Sequence, residues 1–182
     1  MLQLLGRTVI VSLASVLAAL CCPAAIRAAQ NVHPFQLYAG AFFPSSSAAQ
    51  DFAHSEFLIG GIYDFSHHEK THNPIVSGYM GYAGGSNGAA HQGNFWVGAQ
   101  VRTPGPFYVG GGTGYYNSWG SVNLGGGVTV TSSAGGIGGV LFLGGDFSKT
   151  GAGLGLRSGY DFLPHWSGVN PSGWEVALTY RL

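Results

Sequence analysis

The sequence predicts an all-β fold, an eight-stranded antiparallel up-and-down β-barrel that crosses a membrane. Only 8% of the 182 residues are charged, against about 25% in soluble domains. No segment after residue 30 is long and apolar enough for a membrane helix, and lipid admits strands only in a closed barrel. Apolar and polar residues alternate with a period of two, most clearly in residues 173–182. The apolar face of that segment comprises Trp174, Val176, Leu178, Tyr180 and Leu182.

Residues 1–29 are predicted to be a secretory signal peptide, which leaves residues 30–182 as the barrel domain. Arg7 precedes an apolar stretch over residues 9–22, and small residues follow at 23–29, in the order that secretory signals show. Cleavage is expected after Ala28 or Ala29, and an uncleaved signal anchor is the alternative. Both cysteines belong to the signal, so the mature domain has no disulfide. Export without disulfides favours the bacterial cell outer membrane.

Eight segments of strand length are predicted in the barrel domain. In the fourth, Phe95 and Val97 are expected to face lipid, whereas Asn94, Gln100 and Arg102 face the interior. The eight segments are residues 34–43, 55–65, 74–83, 92–102, 106–117, 135–147, 151–162 and 173–182.

The connections between these segments alternate in length, which supports the barrel interpretation. Those after strands two, four and six are mostly short, whereas those after strands one, three, five and seven are longer and rich in Ser, Gly, Asn and Pro. Outer-membrane barrels have short periplasmic turns and long external loops, so both termini are expected in the periplasm. Residues 121–131 are predicted to extend the third external loop. A ninth strand there, or a ten-stranded barrel, is the alternative. The four long connections are residues 44–54, 84–91, 118–134 and 163–172.

Glycine and aromatic residues both fit a small barrel. The chain has 32 glycines, and inward Gly110, Gly112 and Gly114 are predicted to make room for larger neighbours, because eight strands enclose only enough space for side chains. Aromatic residues near strand ends are predicted to form two girdles at the lipid headgroups. They are Phe42, Phe43, Tyr63, Phe65, Tyr115, Tyr116, Tyr160, Phe162, Trp174 and Tyr180.

Three segments give the chain a resemblance to a known superfamily. They are Tyr-Val-Gly-Gly-Gly-Thr-Gly-Tyr-Tyr at 108–116, Leu-Phe-Leu-Gly-Gly-Asp-Phe at 141–147, and the final strand at 174–182. On these motifs, residues 31–182 resemble the small eight-stranded outer-membrane β-barrel proteins. The resemblance implies outer-membrane lipid, lipopolysaccharide and the barrel-assembly machinery as partners, and it implies no activity. Members usually end in an aromatic residue, whereas this chain ends in Leu182.

One group of residues is similar to the catalytic site of small outer-membrane lipid A deacylases. His165 and Ser167 form a His-x-Ser pattern, with Glu175 downstream, and a serine nucleophile needs a base and a carboxylate that orients it. That family usually has asparagine after the serine and a more distant glutamate, but here Gly168 follows Ser167. No catalytic site is therefore predicted, and a lipid A deacylase-like hydrolase is the alternative.

Charged residues in the strands are predicted to line the lumen, because an arginine or lysine that faces lipid costs about 2–4 kcal/mol. Arg157 and Glu175, on adjacent strands, are the preferred ion pair. The predicted network comprises Arg102, Arg157, Asp161, Glu175 and Arg181.

A histidine cluster supplies the densest group of possible metal ligands, namely His67, His68, Glu69 and His72. Imidazole suits zinc, nickel or copper. However, the cluster occupies a predicted turn and has no second ligand motif, so neither a metal nor a cofactor is predicted.

The predicted function is a structural or surface-interaction role without catalysis. An external ligand would bind through the loops, with Phe52, Trp119 and Trp166 as contact residues. Acidic residues outnumber basic ones once the signal is removed, which does not favour nucleic acid. Besides the hydrolase, the alternatives are a narrow pore for small or hydrophobic solutes and a soluble, secreted β-sandwich or glycine-rich surface protein.

Overall fold

The computed structural model describes residues 34–65, 74–147 and 153–182, which form a closed barrel of eight antiparallel strands. The strands are β1 (Phe35–Pro44), β2 (Glu56–Asp64), β3 (Ile75–Asn87), β4 (Ala90–Arg102), β5 (Phe107–Gly125), β6 (Val128–Asp146), β7 (Gly153–Phe162) and β8 (Gly173–Arg181). Each strand pairs with its neighbours in sequence, and β1 also pairs with β8. The predicted all-β, eight-stranded up-and-down barrel is confirmed. The β-sandwich is wrong, because the β1–β8 pairing closes the sheet on itself.

The register of the ladders sets the tilt of the strands. Ladder partners lead from Tyr38 through β2, β3, β4 and β5 to Gly136 on β6. In the other direction, through β8 and β7, they lead to Asp146. Closure therefore offsets the register by the ten residues between positions 136 and 146. In an eight-stranded barrel this offset tilts the strands by about 40° and leaves an interior just wide enough for side chains.

The two ends of the barrel differ in their connections. β1 begins and β8 ends at one end, which we call the terminal end. The opposite end, the loop end, carries loop 1 (residues 45–55), which contains the short helix α1 (Ser47–Gln50), and loop 4 (residues 163–172). No helix among the described residues is long and apolar enough to span a membrane.

Two of the four predicted long connections, residues 84–91 and 118–134, are wrong. β3 ends only at Asn87 and β4 already begins at Ala90, so two residues join them. Most of residues 121–131 extend β5 and β6, which are joined through Gly126 and Gly127. These residues form neither a loop nor an additional strand. Gly126 and Gly127 have φ angles of 59° and 81°. Glycine adopts such positive angles without a steric penalty, so the chain can reverse there.

The two faces of the wall have opposite composition. Among the aromatic residues predicted for the girdles, Phe42 and Tyr116 instead point into the lumen, where they are 1% and 0% exposed. Inward glycines give such rings their space, since a Cβ at Gly60 would overlap the Tyr38 hydroxyl and one at Gly110 would meet the Phe142 ring. The buried hydrophobic cluster comprises Tyr38, Phe42, Leu58, Ile62, Tyr79, Ala83, Trp96, Tyr108, Tyr116, Val140, Phe142, Leu163 and Ala177.

Candidate functional site

A charged network closes the terminal end of the lumen. Four strands that run toward this end finish on its members, Asp64, Arg102, Asp146 and Arg181. Asp64 Oδ2 accepts from Arg102 Nη2 at 3.1 Å and from Arg181 Nη1 at 2.7 Å. Arg181 Nη2 also lies 3.4 Å from Asp146 Oδ2, and Ser77 donates to the other oxygen of Asp64. Among the described residues, two cations and two anions balance in this layer.

A second ion pair lies nearer the middle of the lumen. Arg157 Nε donates to Glu175 Oε1 at 2.6 Å, and Arg157 Nη1 donates to Gln100 Oε1 at 3.0 Å. The Arg157 guanidinium also lies 4.0 Å from the centre of the Phe142 ring, a favourable cation–π distance. The preferred Arg157–Glu175 pair is therefore formed in the structure. Asp161 is 1% exposed but makes none of these ion pairs, and its Oδ2 has no partner among the described residues.

The loop end of the lumen holds an acid, Glu56, that has no cation beside it among the described residues. Glu56 begins β2 and is 2% exposed. Its two carboxylate oxygens accept hydrogen bonds from Gln92 Nε2 at 2.6 Å and Asn94 Nδ2 at 2.8 Å. Within the described ranges, Gln92 Oε1, Asn94 Oδ1 and the Ser118 hydroxyl have no hydrogen-bond partner. This layer is therefore polar and only partly satisfied.

Loops 1 and 4 bind each other over this polar layer. Ser46 Oγ donates to Asn170 O at 2.6 Å, and Ser45 N donates to Ser172 O at 2.9 Å. Ser46 also accepts from Ala49 N, which caps α1. Two loops that are distant in sequence are thus tied together at the loop end.

The predicted contact residues lie in different environments. Trp166 is only 3% exposed, packs edge-on against Phe52 with ring centres 4.8 Å apart, and fills the space beside Gly120. Trp119 belongs to β5 rather than to a loop, and its ring lies 6.1 Å from that of Tyr82. Burial removes Trp166 from the surface available to an external ligand.

The structure does not bring the deacylase-like residues together. Ser167 and Gly168 form a two-residue turn between the bridged Trp166 and Val169, with φ of 46° and 81°, as in a type I′ turn. The Ser167 hydroxyl is hydrogen-bonded to that of Ser132. Glu175 is buried in the lumen with Arg157. His165 is exposed, and among the described residues it makes no hydrogen bond to Ser167 or Glu175.

Two predicted features lie outside the described residues: the signal peptide at 1–29 and the cluster of His67, His68, Glu69 and His72. Within the described part of the chain, no group of three or more His, Cys, Asp or Glu residues is placed to hold a metal ion.

The lumen thus has three polar layers: a charged network at the terminal end, an ion pair near the middle, and a polar layer at the loop end that loops 1 and 4 cover. In comparisons with known proteins, no family model matches this chain, and no curated protein has significant sequence similarity to it.

Proposed function

We propose that the protein is a membrane-spanning barrel of the bacterial outer membrane with a structural or surface-interaction role and no catalytic activity. One observation carries the proposal. In the described strands, every Asp, Glu, Lys and Arg lies at an inward position, and none lies at an outward one. Water would not impose this segregation, whereas lipid penalises each outward arginine or lysine at mid-depth by about 2–4 kcal/mol.

The outward face is apolar over a continuous height. Val109, Leu141 and Leu178 are 62%, 61% and 61% exposed, although soluble monomers rarely present large contiguous apolar patches. From Trp174 to Leu182, strand residues spaced about 3.3 Å apart and tilted by about 40° cover roughly 20 Å along the barrel axis. This height approaches the apolar band of about 25 Å that outer-membrane barrels show.

Outward aromatic residues occur at both limits of this band. Phe95, Tyr115 and Trp174 lie toward the loop end, and Tyr63 and Tyr180 lie toward the terminal end; all are at least 37% exposed. Such rings favour the lipid headgroup region. Lipopolysaccharide and outer-membrane lipid are the partners that this band would contact, and the barrel-assembly machinery would insert it.

The packing of the lumen favours an interaction role over a pore. Phe42, Leu58, Tyr116 and Glu175 are all less than 2% exposed inside the wall, and Arg157 is paired with Glu175 across adjacent strands. Buried side chains therefore occupy the space that a solute would need. Any interaction with external molecules falls to the loop end.

A charge placed on the outward face tests the membrane proposal. The mature chain is refolded into lipid vesicles, and folding is followed by the gel-mobility difference between unheated and boiled samples. Leu178→Arg is expected to weaken folding into lipid by about 2–4 kcal/mol. Thr129→Arg, which lies outward on β6 near the turn of the β5–β6 hairpin, is expected to have little effect. Solubility without detergent, with equal behaviour of the two variants, would refute the proposal.

A further inference from the structure

β6 extends well beyond its neighbour β7. The β6–β7 ladder ends at Gly139↔Phe162, whereas the β5–β6 ladder continues to Gly125↔Val128. Residues 128–138 of β6 are therefore paired on one side only within the described part of the chain. The opposite side of this hairpin is covered, because β4 pairs with β5 as far as Ala90↔Val122.

The hydrogen-bonding direction of each β6 residue follows from two bonds at the terminal end. Asp146 N donates to Pro106 O on the β5 side at 2.7 Å, and Phe147 N donates to Leu154 O on the β7 side at 2.9 Å. Successive residues of a strand alternate in direction, and the β5–β6 register is unbroken back to Asn123↔Thr129. Odd-numbered residues therefore direct their N–H and C=O groups to the open side. They are Thr129, Thr131, Ser133, Gly135 and Ile137.

Loop 4 does not cover this edge. It touches β6 at even-numbered positions, through the Ser132–Ser167 hydroxyl contact and through Pro164, whose Cγ lies 3.6 Å from the Cβ position of Gly136. Even-numbered side chains face the lumen, as the buried Val140 and Phe142 show. Loop 4 therefore lies over the inner side of the hairpin and leaves the edge open.

The edge lacks the features by which proteins usually protect exposed strands. Natural edges carry lysine, proline or a bulge that blocks pairing. Residues 128–138 contain neither a charged residue nor a proline, and the register shift of the hairpin lies at the turn, between Asn123 and Gly125. Alternating Val and Thr at 128–131 favour an extended strand, and Ile137 is 80% exposed.

We propose that the β6 edge from Thr129 to Ile137 binds an extended polypeptide segment by β-strand addition. This inference deepens the proposed surface-interaction function and rests on it. Only an extended backbone presents donors and acceptors at the spacing of the open edge, and it would continue the ladder that β7 leaves at Gly139. Because the edge has no charge, the segment that fits it is uncharged, with apolar side chains beside Val128 and Val130 and small polar ones beside Thr129 and Thr131.

The occupant is a different chain rather than a second copy in the same membrane. Two parallel barrels related by a two-fold axis along the membrane normal would bring their β6 strands together at about twice the strand tilt, roughly 80°. Strands that cross at this angle cannot form a ladder.

The test uses the folded full barrel in detergent and a synthetic peptide of alternating threonine and valine with one lysine at each end. Binding is followed by fluorescence anisotropy of the labelled peptide. Thr131→Pro removes one N–H on the open side of β6 and leaves the β5–β6 hydrogen bonds intact, whereas Thr131→Val keeps that N–H. We expect wild type and Thr131→Val to bind alike, and Thr131→Pro to bind on the order of tenfold more weakly. A peptide N-methylated along its core should not bind.

Three results would overturn the inference: no binding of the unmodified peptide at millimolar concentration, equal affinity of the two Thr131 variants, or a detergent-solubilised dimer that Thr131→Pro dissociates. The gel-mobility shift reports separately whether each variant is a folded barrel. If the barrel is folded but does not bind the peptide, only the proposed binding site on the β6 edge is refuted. Peptide binding by a protein that is soluble without detergent refutes the membrane proposal alone.

Discussion

The two ends of the lumen hold buried acids in different ways. At the terminal end, Asp64 contacts Arg102 and Arg181, and Asp146 contacts Arg181. At the loop end, the partners of Glu56 in the described part of the chain are the neutral amides Gln92 and Asn94. The first arrangement joins the ends of four strands through charge. The second depends on hydrogen bonds and on the loops that cover it, and its unsatisfied oxygens are suited to ordered water.

Removal of the shared carboxylate should have the largest effect. Asp64→Ala removes the carboxylate that pairs with Arg102, whereas Arg181 keeps its contact with Asp146. A buried charge that loses its partner costs about 3–5 kcal/mol. Urea unfolding in lipid vesicles, followed by gel mobility, measures the loss. If Asp64→Ala were as stable as wild type, the terminal-end network would not lock the barrel.

Loss of the negative charge in the central ion pair should have an intermediate effect on stability. Glu175→Gln keeps an acceptor for Arg157 but removes its negative charge, while Gln100 still accepts from the same guanidinium. A hydrogen bond between charged groups contributes about 2 kcal/mol, so a loss near that value is expected in the same titration. Gln100→Ala serves as the control, because it removes only the neutral partner and should cost less than Glu175→Gln.

The loop-end acid should tolerate neutralisation best. Glu56→Gln retains an acceptor for one of the two amides and leaves no cation unpaired, so it should cost about 1 kcal/mol or less. The matched terminal-end change is Asp64→Asn, measured under the same conditions. An equal or greater loss for Glu56→Gln would erase the distinction between the two ends.

The turn in loop 4 should give the smallest change. Ser167 adopts a positive φ of 46°, which asparagine accepts more readily. Ser167→Asn should therefore alter the unfolding free energy by no more than about 0.5 kcal/mol. A larger loss would show that the Ser132–Ser167 contact fixes the loop-end cover. The same variant, assayed for release of acyl chains from lipid A, also tests the hydrolase alternative.

The sequence predicted most strands and the inward or outward direction of most of their residues, because outward-facing and lumen-facing positions alternate strictly. Phe42 and Tyr116, which were expected in the girdles, are the exceptions. It predicted Arg157 with Glu175 because adjacent strands bring them together. It did not predict the ion pairs of Asp64 with Arg102 and Arg181. The reason is that β2 is not adjacent to β4 or β8, and contacts across the lumen depend on the register offset. The hairpin at 121–131 was also missed, because its polar outward positions no longer show the apolar row that marked the other strands.

The pairing of β1 with β8 has a consequence for how the barrel forms. The other ladders join consecutive strands, which are local hairpins, but this ladder joins Gln36 to Arg181, and Leu182 N donates to Phe35 O at 2.9 Å. Almost the whole domain must already be in register before these two edges meet, and contacts between distant residues form slowly. We therefore expect closure to be a late and slow step of folding, and both edges are open to aggregation until it occurs.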